Sequence, residues 1–239
     1  MKKKRLMVGC LFALSILVYI CPLNAQISPR EFLGHEVGAD GKLADYNSIL
    51  EYFRRLDTET DRLRLVEIGK TVQGRPLVMA VISSPANLEN AEQFQTISRR
   101  LRDARDLTAK EARIVASEGR TILLITCSLH ATEIGASQMS MELAWRLATG
   151  KTPFPVEKVL DRVILLLVPT INPDGVQMVV DWYDKYRGTR YEGGRMPMLY
   201  HPYAGHDNNR DWFMGNLPET QALMQVLYHD WIPQIHIDE

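Results

Sequence analysis

Apolar positions change period along the chain, and each change marks an element. Residues 43–56 carry Leu43, Tyr46, Ile49, Leu50 and Phe53 at successive spacings of three, three, one and three, which lines one face of a helix. Two short β-rich runs follow, 65–68 and 77–82. The stretch between them ends in the turn-prone Gln73-Gly74-Arg75-Pro76, so a hairpin is predicted. Residues 90–117 mix charge with helical periodicity and close at Gly119, predicting one or two exposed helices over a sheet face. The runs 121–129 and 163–170 are too uniformly apolar for a sheet with one wet face, so both are predicted as central strands. Between them, 133–148 is helical by pattern and is stopped by Gly150, with Pro153 just beyond. Strand, helix, strand in this order predicts an α/β fold. From Asp181 to Asp207 periodicity gives way to Gly, Pro, Tyr and Arg, the composition of a long ordered loop that builds a site. Residues 219–228 return to helix, and Pro233 opens a last apolar stretch that reaches Glu239.

Composition narrows the class. The 239 residues are 46% hydrophobic and 24% charged, an ordinary globular balance that one core can satisfy. A formal net charge of -1 leaves no basic excess to neutralise a phosphate backbone, so no nucleic acid partner is expected. Lys2 to Arg5 are four consecutive cations, and the run from Leu6 to Cys21 is uncharged, which is the form of a secretory signal. That run is shorter than the roughly 20 residues that span a bilayer. Ala25 offers cleavage before Gln26. The expected organisation is therefore a signal peptide over 1–25, a lead-in over 26–42 and one domain over 43–239. Localisation would be secreted or periplasmic, by a bacterial export signal, with no stable membrane association after cleavage. Cys127 would then be the single cysteine of the mature chain, which excludes an internal disulfide.

Candidate chemistry gathers at the strand ends. His130 follows the first buried run directly and Glu133 lies three residues on, so an imidazole from a strand edge and a carboxylate from a first helical turn can meet on one ion. Zinc accepts both donor types, and a catalytic zinc needs three protein ligands and an open position. The next central strand ends in Ile171-Asn172-Pro173-Asp174-Gly175, a tight turn at the same sheet edge. Tyr186-Arg187-Gly188-Thr189-Arg190 and Asp207-Asn208-Asn209-Arg210-Asp211-Trp212 add cationic and amide groups from the loop above it.

In this order, the segments resemble the zinc carboxypeptidase family, the relatives of carboxypeptidase A. Ile68-Gly69-Lys70-Thr71-Val72-Gln73-Gly74-Arg75-Pro76-Leu77 is similar to the family's Gly-x-Ser-x-x-Gly-Arg segment, with Thr71 in place of Ser and a one-residue difference in spacing. His130-Ala131-Thr132-Glu133, Asn172-Pro173-Asp174-Gly175, Arg187 and Asn209-Arg210 follow. Each piece alone is weak; five in sequence are specific. The resemblance implies a mixed, mostly parallel central sheet with helices on both faces, incomplete at its C-terminus. It also implies Zn2+ as cofactor, peptide or protein C-termini as partners, and hydrolysis by attack of zinc-activated water.

Residue by residue, His130 and Glu133 match the first two zinc ligands. Arg187 matches a catalytic arginine that polarises the scissile carbonyl and stabilises the oxyanion, so its loss should damage rate more than binding. Asn209 and Arg210 match the pair that binds a free C-terminal carboxylate, which a guanidinium can grip through two parallel bonds. A third ligand is expected on the last apolar stretch. His236 lies there, while an alignment on Asp238 would put the ligand one position past Glu239. The family's general-base glutamate and a tyrosine that closes over substrate are expected beyond residue 239. The expected function is thus an exported zinc metallocarboxypeptidase. The alternatives are a catalytically inactive peptide-binding remnant of the same fold and a cell-wall peptide amidase. His35, His201, His206 and His229 read as loop or helix-surface residues.

Overall fold

The computed structural model describes residues 26–103, 105–201 and 203–239; the expected signal over 1–25 lies outside them. The lead-in begins with a short helix, α1 (Pro29–Leu33), whose start is fixed by a reciprocal cap between Ser28 and Glu31. Helix α2 (Tyr46–Glu59) starts where Asp45 accepts from the Ser48 amide and buries Tyr46, Ile49, Leu50, Tyr52, Phe53 and Leu56. It leads into the predicted hairpin of β1 (Leu63–Lys70) and β2 (Pro76–Ile82), which pair antiparallel. Helix α3 (Pro85–Glu89) precedes the charged stretch, which α4 (Ala91–Arg102) and α5 (Ala109–Glu118) occupy. The strand, helix, strand unit follows as β3 (Thr121–Thr126), α6 (Ile134–Thr149) and, after the short α7 (Val156–Leu160), β4 (Val163–Val168). Gly150 adopts φ 75° at the end of α6, a left-handed stop that glycine takes without steric penalty.

The strands form one mixed sheet in the order β1-β2-β4-β3-β5, where β5 is Ile235–Asp238. Strands β2 and β4 are antiparallel; β3 runs parallel to β4 on one side and to β5 on the other. Alternate residues of the inner strands feed opposite faces. Ala80, Ile82, Leu165 and Leu167 join Tyr52, Phe53, Met141 and Val176 under α2, α6 and α8 (Pro173–Tyr186). Met79, Val81, Leu124 and Leu166 join Phe94, Leu223 and Trp231 on the other face. The uniformly apolar runs are thus explained by cores on both sides, as a two-faced sheet requires.

Two expectations change. Helix α8 (Pro173–Tyr186) extends into the stretch expected as loop. Asn172 caps the Gly175 amide, Pro173 presets the first turn, and buried Val176 and Val180 give that turn a core-facing stripe. The loop therefore begins at Arg187. Strand β3 also ends three residues early, because Ser128 turns the chain with φ 48°. After the loop, α9 (Pro218–Gln225) passes into a π-helical turn at Val226–Asp230 before β5. Among the described residues no helix is long and apolar enough to cross a membrane.

Candidate metal centre

The parallel register of β3 and β4 brings their C-terminal ends to one rim, with His130 beyond the first and the start of α8 beyond the second. Ser128 is the hinge. Its hydroxyl donates to the Glu133 carbonyl at 2.8 Å and receives the Ser137 amide at 3.2 Å, so the strained turn is held at both ends of the His130–Glu133 segment. Gly175 closes the other side: a Cβ there would stand 2.7 Å from the Ala131 side chain and 2.6 Å from the Tyr200 carbonyl. Only a residue without a side chain lets α8 approach the His130 loop this closely.

The imidazole of His130 has a carboxylate on each side. Its Nδ1 lies 3.2 Å from Glu133 Oε2, and its Nε2 lies 3.2 Å from Asp207 Oδ2. Burial opposes the charge on Asp207, yet the Asn209 amide and the nearby His130 ring outweigh it and hold the carboxyl below its ordinary value. An ionised Asp207 can only accept; with a proton on Nε2 to meet it, Nδ1 would present its lone pair toward an ion shared with Glu133. With an ion at Nδ1 this would be the carboxylate, histidine, metal arrangement that orients ligands in metal sites. Zinc with bonds of about 2.0–2.2 Å in a tetrahedron separates two ligand atoms by about 3.3–3.6 Å. The pair at His130 and Glu133 is close to that edge, so these two donors fit the ion.

The 207–211 segment is built for this position. Asp207 caps the Asn209 amide through its other oxygen at 2.8 Å, and the Asn208 side-chain amide donates to the Leu129 carbonyl at 2.6 Å. Buried Asp211 accepts from the Leu217 amide at 2.9 Å and contacts His206 Nε2 at 3.3 Å, closing the following turn. Asn209 is half-buried, and Arg210 is exposed beside Asp207.

Two expected site residues are placed elsewhere. His236 stands opposite Leu124, two rungs below the end of β3, and its Nε2 contacts Thr126 Oγ1 at 2.9 Å. The strand reaches the rim only afterwards, where the Ser128 amide donates to the Glu239 carbonyl. Among the described residues no group of three or more His, Cys, Asp or Glu is placed to hold a metal ion. Arg187 ends α8, donates to the Gly41 carbonyl at 3.1 Å and lies 3.8 Å from Asp184. It faces a shallow groove with Asp40, Tyr183 and Glu192 instead of the His130 rim.

Three features escaped the sequence. Asp207 is one, although its place two residues before Asn209 could have signalled it. The second is a buried bridge between two motifs. Asp174, fully buried, receives Arg75 Nη1 at 2.7 Å, Thr71 Oγ1 at 2.8 Å and the Gln73 amide at 3.1 Å. Both motifs therefore hold the rim together without touching the His130 donors. The third is His201, 2% exposed against the Tyr200 ring, where a loop or surface position was expected. Its burial lowers its proton affinity.

A sequence model described as zinc carboxypeptidase matches residues 49–231, and the chain belongs to that family. Among solved structures it is similar to the carboxypeptidase A of Helicoverpa armigera, with 17% identity and a TM-score of 0.54, over 88% of this chain and 51% of that one. It is also similar to bovine thrombin-activatable fibrinolysis inhibitor bound to tick carboxypeptidase inhibitor, with 12% identity and a TM-score of 0.53, over 83% of this chain and 60% of that one. The chain thus spans about half to three-fifths of the length of these structures, and the likeness is one of fold. No curated protein sequence gave a significant match.

Proposed function

We propose that this protein is an exported zinc metallopeptidase that removes residues from peptide C-termini. Family membership supports the class, and one observation carries the site: a single imidazole with Glu133 at Nδ1 and ionised Asp207 at Nε2. His130 and Glu133 would hold the zinc, which supplies Lewis-acid polarisation of a carbonyl and a lowered water pKa. Asp207 fixes the tautomer and direction of His130. Exposed Arg210, with Asn209 beside it, offers a planar cation to a peptide carboxylate on the Asp207 side of the ring. An oxyanion role for Arg187 requires its guanidinium to leave the Gly41 carbonyl.

The run of cations at Lys2–Arg5 before an uncharged stretch supports export. A second reading, peptide binding without turnover, is compatible with the two donors, His130 and Glu133, that the described residues bring together at the rim. The discriminating experiment measures zinc content and hydrolysis of a blocked dipeptide, with Glu133→Ala as control. Stoichiometric zinc with cleavage, both lost in the variant, supports the peptidase. Zinc and peptide binding with no cleavage selects the binding module, and no zinc at all sinks both.

A further inference from the structure

The parallel strands β3 and β4 finish at the His130 rim and begin at the opposite end of the sheet, where a cleft of about 1070 Å³ opens between the ends of α4 and α5, helix α7 and the turn that enters β5. The six residues of β3 set the two ends roughly 17 Å apart. Arg102, Arg120, Lys158 and Arg162 line this cleft against one carboxylate, Asp161. None of these four cations forms an ion pair within 4.0 Å among the described residues. On a chain whose formal net charge is -1, the cleft is a local excess of positive charge with no internal counter-charge.

Two of the cations are fixed by neutral groups. Half-buried Arg120 donates through Nε to Asn87 Oδ1 and through Nη1 to the Gly119 carbonyl, both at 3.0 Å, and its guanidinium lies 4.8 Å from the centre of the Phe94 ring. Arg102 donates to the Tyr228 carbonyl. These bonds hold the side chains and leave their charge unneutralised. Lys158 and Arg162 are exposed. The rest of the wall is partly apolar, with Ile97, Leu101, Ile232 and Pro233 half-buried. It is also formed in advance. Ile232 stands at φ 52°, a conformation that a β-branched residue keeps only where its surroundings impose it. Gln234 imposes it: its Nε2 donates to the Ile232 carbonyl at 3.1 Å, and its Oε1 accepts from the Ile122 amide of β3 at 2.7 Å.

We infer that this cleft docks an acidic segment of a partner protein in which carboxylates alternate with apolar side chains. Guanidinium and ammonium groups complement the carboxylates, and the half-buried apolar wall favours a chain that also carries hydrocarbon over a bare polyanion. Binding here needs neither zinc nor a free C-terminus, so the cleft is an attachment point separate from the His130 rim.

Calorimetric titration of the full chain with acetyl-Glu-Leu-Asp-Leu-Glu-Leu-Asp-amide tests this. Reversing the two exposed cations together, Lys158→Glu with Arg162→Glu, should weaken binding by about tenfold or more, and added salt should weaken it in the parent chain. Exchanging them, Lys158→Arg with Arg162→Lys, should keep it, as should Arg210→Ala at the rim. A peptide with glycine in place of each leucine should bind on the order of tenfold more weakly. Absence of binding, or binding untouched by the double reversal, overturns the inference. Equal binding of the glycine peptide would mark a general anion site and overturns it too, and loss of binding in Arg210→Ala would place the peptide at the rim instead. Self-association of the chain that the double reversal dissolves would make a second copy the occupant. None of these outcomes bears on the peptidase reading.

Discussion

The two nitrogens of His130 have different neighbours, and that asymmetry is what a metal ligand requires. The half of the arrangement made with Glu133 is local, three residues along the chain, so it was legible as a motif. The half made with Asp207 spans 77 residues, and nothing in periodicity reports such a contact. Removing it tests the centre without touching a donor. Asp207→Ala should lower zinc affinity about 10–100-fold, the usual effect of losing a partner of a ligating histidine. Competition with a chelator measures it, and an unchanged affinity would mean that Asp207 does not orient the ring. Glu219 gives a separate residue-scale prediction, away from the metal. It accepts from the Val72 amide and the Tyr203 hydroxyl, both at 3.1 Å, and burial pushes its carboxyl above the ordinary 4.5. The folded state then binds this proton more tightly than the unfolded state, so wild-type stability falls as pH rises from the unfolded value through the raised one. Glu219→Gln has no proton to lose, and its stability relative to wild type should improve from pH 4 to pH 7. Urea titrations at several pH values measure the gap; a gap that shrinks as pH rises contradicts the assignment.

At the scale of elements, helices and strands were legible where the period was long and unbroken, as in α2, α6, β3 and β4. The end of α8 was misjudged because Trp182, Tyr183 and Tyr186 carry the helix past its core-facing stripe on aromatic rather than aliphatic residues. The Trp182 and Tyr186 rings pack with centroids 4.5 Å apart, Tyr186 meets Tyr191 of the loop, and the Tyr183 hydroxyl donates to Glu192. What no pattern reveals is why Asn172-Pro173-Asp174-Gly175 must have these residues. The structure answers for each: a cap, a preset φ, a buried anion and a close approach. Gly175→Ala should destabilise the fold by about 1–3 kcal/mol, the typical cost of overpacking, and weaken zinc binding as the His130 loop is displaced. Arg75→Met leaves the Asp174 carboxylate buried without its cation. It should cost about 3 kcal/mol, at the low end for a broken buried pair because Arg75 itself is partly exposed. Urea denaturation measures both. A neutral Arg75→Met would show that Thr71 and Gln73 suffice to hold Asp174.

For the whole molecule, the α/β class followed from two apolar runs around one helix, and the sheet bears it out with a core on each face. Strand order was not legible: β4 sits between β2 and β3, an arrangement fixed by packing across the sheet and not by sequence order. The Gln26 side chain donates to the Glu59 carbonyl, and its own carbonyl receives Trp145 Nε1 at 3.2 Å, so Gln26 is held against the domain. The proposed export signal ends at Ala25, and mass spectrometry of protein recovered from the periplasm or medium should find Gln26 as the first residue. An intact Met1 on the exported protein would refute cleavage there.

The bridge between Arg75 and Asp174 joins positions 99 apart in sequence. Helices and the β1–β2 hairpin can form from neighbours, whereas this contact must wait for a long chain closure, and contacts of that kind arrive late in folding. Because Asp174 anchors the helix whose Gly175 abuts Ala131, a refolding chain would regain its helical circular dichroism before it could capture zinc. The interval between those two signals would time the moment at which the molecule acquires its chemistry.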